Sequence, residues 1–243
     1  MHSRGMEHST PVSRVTCLYI EGFSPGPGLP KPILARCNFH VVTTRMPYGI
    51  CDHAQNPFVV LALVGAGTTL WLVSALSTWW QVILALITGG VVCIYAKRRA
   101  VGYCLDQCMN AQLRLIERHS PDLVVGYSWG GGIACGLLNR RDWSGPTLLL
   151  APAGEQMWAH AGRVPPTLQH GAIPDSAAVL TVQGDADAIV SLSEVQRLHE
   201  GAAEEQCQLQ LAPGEDHFLG YTATPAAIQE WSRKLMMKSV HNR

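Results

Sequence analysis

Leu123-Val124-Val125-Gly126-Tyr127-Ser128-Trp129-Gly130-Gly131-Gly132 decides the fold, because strand, turn and helix patterns meet there on one serine. Asp122 to Val125 is a short apolar, β-branched run, and Gly130 to Cys135 opens a helix with small residues. Ser128 therefore sits where a buried strand turns sharply into a helix. Glycines at 126 and 130 let strand and helix pass close to that turn, so the serine can adopt a strained backbone with its hydroxyl presented. The helix that follows turns its positive end toward the same spot, and the backbone N–H of Trp129 is its first donor for negative charge on a carbonyl oxygen.

A serine hydroxyl becomes a useful nucleophile when a histidine takes its proton and an acid orients that histidine. Both partners follow in the order serine, acid, histidine. Val179 to Gly184 is a strand running into Asp185-Ala186-Asp187-Ala188-Ile189-Val190, and Leu209-Gln210-Leu211 runs into Gly214-Glu215-Asp216-His217-Phe218. With G-x-S-x-G, then G-x-x-D-x-x-V, then G-x-x-H, the chain resembles the α/β-hydrolase superfamily of serine hydrolases over about residues 15 to 238, one inserted block excepted. The resemblance implies Ser128 as nucleophile, His217 as base and Asp187 as acid. Asp185 competes for the acid role, although its carboxylate could instead cap the local turn, and Asp216 beside His217 is a further alternative.

Val15 to Ile20 reads as the first strand, ending in Glu21-Gly22-Phe23-Ser24-Pro25-Gly26-Pro27-Gly28. That loop resembles the family's oxyanion loop, which assigns the second oxyanion donor to the backbone N–H of Phe23, beside Trp129. Glu21 stands where the family commonly has histidine, a departure that touches the packing of the loop and not the backbone donor. Further strands are expected at Phe39–Thr44 and Thr147–Ala151. Helices are expected over Val101–His119, after Ser191, where Ser191 and Glu194 make a capping box, and over about Pro225–Met237. The implied fold class is α/β: a trimmed α/β-hydrolase fold with a mostly parallel sheet of about six strands flanked by helices. The segment from Gly154 to Ser176 occupies the family's lid position and is short.

The inserted block departs from the family. From His53 to Ala96 there is no Asp, Glu, Lys or Arg, where the 15% charged content of the chain would put about six or seven. Val59 to Leu76 is long enough for a membrane helix. Val82 to Ala96 rises only about 22 Å against a hydrocarbon core of about 30 Å, so that arm starts earlier through Trp79-Trp80, thins the bilayer, or belongs to a hairpin that enters without crossing. Ser77 to Gln81 has the composition of an interfacial turn and Lys97-Arg98-Arg99 that of a cytoplasmic anchor. The first strand lies before the block and the Ser128 strand after it. Both must enter one sheet, so the number of crossings is even. A buried helical pair capping a soluble domain is the alternative, against which stands the lack of a polar face.

The domain reading is thus a flexible polar tail over 1–14, a catalytic domain over 15–57 and 97–243, and an inserted hydrophobic hairpin, transmembrane or re-entrant, over 58–96. Zero net charge gives no reason to expect nucleic acid. Eight cysteines without framework spacing read as reduced core residues, and Cys104 and Cys108, lacking a histidine partner, do not read as a metal site. No metal or organic cofactor is expected. The functional expectation is a membrane-anchored serine hydrolase, its catalytic domain on the cytoplasmic side, cleaving an ester or thioester of a lipid or lipidated substrate. An acyltransferase using the same triad, or an inactive hydrolase-shaped binding protein, is the alternative.

Overall fold

The structure, a computed structural model, describes residues 14–22, 30–44, 46, 57–75 and 78–241. The expected tail, apart from residue 14, and Phe23 with the rest of its loop to residue 29 lie outside the described residues. Six strands are present: β1 (Thr16–Ile20), β2 (His40–Val42), β3 (Leu123–Tyr127), β4 (Thr147–Leu150), β5 (Val179–Gly184) and β6 (Cys207–Ala212). They form one sheet in the order β2-β1-β3-β4-β5-β6, parallel throughout. Tyr19 of β1 lies opposite Val125 of β3, and Ile20 opposite Gly126.

Alternation along the strands feeds two cores. Leu18, Ile20 and Val124 face α3 (Trp79–His119) and α4 (Trp129–Asn139), through Leu105, Met109, Ile133 and Leu137. Cys17, Tyr19, Val125 and Leu148 face the other way, onto α1 (Pro30–Arg36) and α7 (Pro225–His241), through Leu34, Ile228, Trp231 and Leu235. Both faces are covered, as a parallel sheet requires, so β3 and β5 are buried along their whole length. The connection from β1 runs outward to β2, and the chain then returns to β3 on the other side of β1. That reversal opens a crevice at the carboxyl ends of β1 and β3.

The inserted block is α2 (Pro57–Ala75) packed along the first part of α3. The two expected helices, Val82–Ala96 and Val101–His119, are one unbroken helix of 41 residues, because Lys97-Arg98-Arg99-Ala100 are strong helix formers with no breaker among them. That helix begins at Trp79, so Trp79 and Trp80, stacked with ring centroids 3.7 Å apart, belong to its first turn and not to a connecting turn. From Trp79 to Ala96 it rises about 27 Å, close to the hydrocarbon thickness. Where the two arms cross they touch closely: a Cβ added to Gly89 would lie 2.7 Å from Cγ2 of Thr69. Among the described residues, α3 is the one helix long and apolar enough to cross a membrane.

Among the described side chains of the block, many apolar ones face outward, Leu63 and Trp71 each 70% exposed. Ala96 is the first buried residue of α3, and the helix is held against the domain from there to Gln112. A crossover helix that leads into a parallel strand runs antiparallel to it, so the apolar part of α3 extends beyond the carboxyl edge of the sheet. This geometry departs from a helical pair lying as a cap on the domain.

The seven described cysteines form no disulfide with one another, and six of them are buried. Cys93, expected in the core, instead lies exposed on α3. A short helix, α5 (Glu155–His160), falls in the lid segment, and α6 (Leu192–Leu198) has half of the expected capping box: Ser191 Oγ accepts from the Glu194 amide at 3.2 Å, while Glu194 Oε1 turns to the Glu155 amide at 2.9 Å. His199 ends α6 with its Nε2 2.8 Å from Thr181 Oγ1, and burial pushes its pKa down to about 4. The unfolded chain takes up that proton near pH 6.5, the folded one near 4, so stability present above 6.5 falls as pH drops through this window. His199→Gln should flatten the decline in urea midpoint between pH 6.5 and 4, removing up to about 3 kcal/mol of the pH-dependent loss. An unchanged slope would assign the acid sensitivity to other groups.

Candidate active site

Ser128 follows the last residue of β3 directly and precedes α4, with φ 52° and ψ −120°. Such a backbone is costly for a residue with a side chain, and four main-chain hydrogen bonds hold it. The Ser128 amide donates to the Leu150 carbonyl at 2.9 Å, and its carbonyl accepts from the amides of Gly131, Gly132 and Ala153 at 2.9, 3.3 and 2.8 Å. The sharp turn brings α4 against the end of β1, where a Cβ on Gly130 would collide with the Ile20 carbonyl oxygen. Only glycine fits there.

His217 and Asp187 reach this serine from two other strand ends. Ser128 Oγ lies 2.9 Å from His217 Nε2, and His217 Nδ1 lies 2.8 Å from Asp187 Oδ2. The side chains of His217 and Asp187 are 6% and 0% exposed. The loops that carry them interlock: a Cβ on Gly184, the last residue of β5, would collide with the Glu215 carbonyl oxygen, and that oxygen accepts the Ala186 amide at 3.0 Å. Glu215, also buried, ties the loop after His217 through the Tyr221 amide and Thr222 hydroxyl at 2.9 and 2.8 Å. Tyr127 sets its ring 5.5 Å from the imidazole and donates its hydroxyl to the His217 carbonyl at 3.4 Å. Burial, reinforced by Asp187 and Asp216, pushes its phenol up to about 12, so it stays a donor.

Of the three aspartates considered for the acid position, one meets the histidine. Asp185 Oδ1 accepts the Gly214 amide at 2.6 Å, and Asp216 Oδ1 accepts the Phe218 amide at 2.8 Å. Both serve turns. Asp187 Oδ1 takes the amides of Ile189 and Val190, each at 2.8 Å, and Oδ2 takes the Gln183 side-chain amide at 3.0 Å together with His217. The sequence reading passed over Gln183. Its one signal is an amide in the middle of an otherwise apolar or β-branched buried strand.

The Trp129 backbone heads α4 beside Ser128. Glu21 and Gly22 continue from β1 toward the same place, and a Cβ on Gly22 would lie 2.9 Å from the Ser128 Cβ, so the loop that leads to Phe23 starts against the elbow. Phe23 itself lies outside the described residues. No group of three or more histidine, cysteine, aspartate or glutamate side chains that could hold a metal ion occurs among the described residues. Cys104 and Cys108 are buried in the α3 core, one face of which the sulfurs help to fill. The lid segment is tied down: Arg163 grips Asp106 of α3 with two nitrogens, at 2.7 and 2.6 Å, and Asn139 bonds the Thr167 carbonyl and amide at 2.6 and 2.9 Å.

No family model matches the sequence, and no curated protein matches it. Solved structures do. The protein TT1662 from Thermus thermophilus superposes with a TM-score of 0.52 at 14% identity, over 94% of this chain and 89% of that one. An inferred hydrolase from Agrobacterium vitis S4 gives 0.52 at 14% identity, over 92% and 88%. At this identity the likeness is one of fold. The six-stranded parallel sheet flanked by helices, with a long apolar helix added, is an α/β-hydrolase fold.

Proposed function

We propose that the protein is a membrane-anchored serine hydrolase that cleaves carboxylic ester or thioester bonds of a lipid or lipidated substrate. The observation that carries this reading is the continuous hydrogen-bond line from Ser128 Oγ through His217 to a buried Asp187, at 2.9 and 2.8 Å. His217 Nε2 takes the Ser128 proton as Oγ bonds to the carbonyl carbon. The negative charge on the carbonyl oxygen is received by the backbone N–H groups of Trp129 and Phe23. His217 then gives its proton to the leaving alcohol or thiol as that bond breaks, and Ser128 carries the acyl group. A water molecule, deprotonated by the same imidazole, releases the acid and returns the proton to Ser128. Asp187 holds the imidazole in the tautomer with Nδ1 protonated and balances the imidazolium charge. The reaction in this form uses no metal or organic cofactor.

The membrane part of the proposal is supported by the block's composition and by its direction. The outward-facing apolar surface of α2 and of α3 up to Tyr95 would be costly in water, and α3 carries it past the carboxyl edge of the sheet, the edge that bears Ser128, Asp187 and His217. Because α3 is continuous and clamped to the lid segment by Arg163, the block does not hang on a loop. The bilayer therefore lies on the side of the catalytic mouth. Lys97, Arg98 and Arg99 stand where the apolar stretch meets the domain, which by the distribution of basic residues about membrane helices assigns the domain to the cytoplasmic side.

Full-length protein and a variant lacking residues 58–96 should be compared on a short soluble ester and on an ester lipid embedded in vesicles. The variant should keep turnover of the soluble ester to within a few-fold and lose at least about tenfold on the embedded lipid. Equal loss on both substrates would make the block part of the catalytic fold, and equal retention would reduce it to an address.

A further inference from the structure

We infer that Gln183 is a positioning residue for the acid of the triad: its side-chain amide fixes the Asp187 oxygen that His217 bonds, an inference that rests on the triad reading above. Gln183 occupies the fifth position of β5 and is fully buried. Its Nε2 has two hydrogens and three oxygens within reach, Asp187 Oδ2 at 3.0 Å, the Val190 carbonyl at 3.1 Å and the Gly184 carbonyl at 3.2 Å. Oxygens on all three sides identify this end of the amide as the nitrogen. The other end is Oε1, buried and without a hydrogen-bond partner among the described residues.

An apolar side chain of the same shape would leave Asp187 Oδ2 and the Val190 carbonyl each one donor short, so it is the bonded end that singles out glutamine at this position. Asp187 Oδ1 is held by two backbone amides, which any residue but proline at 189 and 190 would supply. Among the described residues Oδ2 receives two donors, His217 Nδ1 and Gln183 Nε2, and of these His217 must be free to change its charge during turnover. Gln183 is thus the fixed partner of that oxygen. By holding the Val190 carbonyl as well, it ties the loop that carries Asp187 back to the strand it leaves.

The test uses full-length protein in detergent micelles with p-nitrophenyl butyrate, reading kcat, KM and melting temperature. Gln183→Met keeps the unbranched shape and removes the donor, and Gln183→Leu repeats the change with a different shape. Either variant should stay folded and melt within about 8 °C of the wild type, lose roughly ten- to hundredfold in kcat and change KM less than about twofold. In an Asp187→Ala background the same substitutions should have no further effect on kcat. Wild-type kcat in a folded Gln183→Met protein would overturn the inference, as would an equal loss in the Asp187→Ala background. A melting temperature lowered by more than about 10 °C in both variants would assign Gln183 a structural role and overturn it too. Should Asp187→Ala itself keep full kcat, the triad reading fails and takes this inference with it. An impaired Asp187→Ala beside an unimpaired Gln183→Met fails the positioning role alone.

Discussion

Ser128→Ala should lower hydrolysis by roughly 10⁶-fold and abolish covalent labelling by a fluorophosphonate probe, while the melting temperature changes little. The effect is large because the nucleophile has no substitute in the site. His217 can still polarise a water, but no atom remains to hold the acyl group. The fold should tolerate the change because the four main-chain bonds that fix the residue's backbone do not involve its hydroxyl, and alanine meets the same strain at φ 52° as serine does. Labelling that survives in Ser128→Ala would move the nucleophile elsewhere.

The second large effect separates two aspartates only two positions apart. Asp187→Asn should cost about 10⁴-fold in kcat, since an amide facing His217 Nδ1 would favour the wrong tautomer and remove the charge that balances the imidazolium. Asp185→Asn should cost no more than a few-fold, because its carboxylate accepts one backbone amide, that of Gly214, and an Asn side-chain oxygen accepts the same bond. Parallel kcat measurements on the two variants decide the matter. The reverse ranking would transfer the acid role to Asp185.

Much of this architecture is legible in the chain because its local patterns agree with one another. The buried strands β3 and β5 are short apolar runs rich in β-branched residues, closed by a strained turn and by a glycine, and the candidate site residues Ser128 and Asp187 follow those runs. The motif spacing points to Asp187 and leaves Asp185 as a competitor, since both follow the β5 glycine within reach of the turn; what separates them is that Asp187, held by the Ile189 and Val190 amides and by Gln183, faces His217. Gln183 was invisible for a related reason: its partner is a loop that folds back onto the strand, a contact that no periodicity announces. The continuity of α3 was misread because three basic residues after an apolar run look like an anchor that ends a span. In this chain they are also good helix formers, and the helix passes through them onto the domain, where the half-exposed Asp106 meets Arg163.

That continuity changes the functional argument. Two helices joined at Lys97 could hinge, and the catalytic domain would then face the bilayer in any orientation. One helix buried from Ala96 to Gln112 fixes the apolar arm to the sheet, and the lid segment is clamped to the same helix. On the proposed membrane reading, the orientation of the mouth relative to the bilayer is then a property of the fold.

The central claim, a serine hydrolase acting on acyl lipid at a bilayer, is tested most directly by lipid turnover. Membranes containing wild-type protein or Ser128→Ala are incubated, and acyl lipids and free acids are quantified together over time. The account predicts that wild type consumes an ester- or thioester-linked lipid and releases the corresponding acid in equal molar amount, and that Ser128→Ala membranes show neither change. Equal turnover in both, or no acyl lipid consumed by a wild-type protein that labels with the probe, would contradict it.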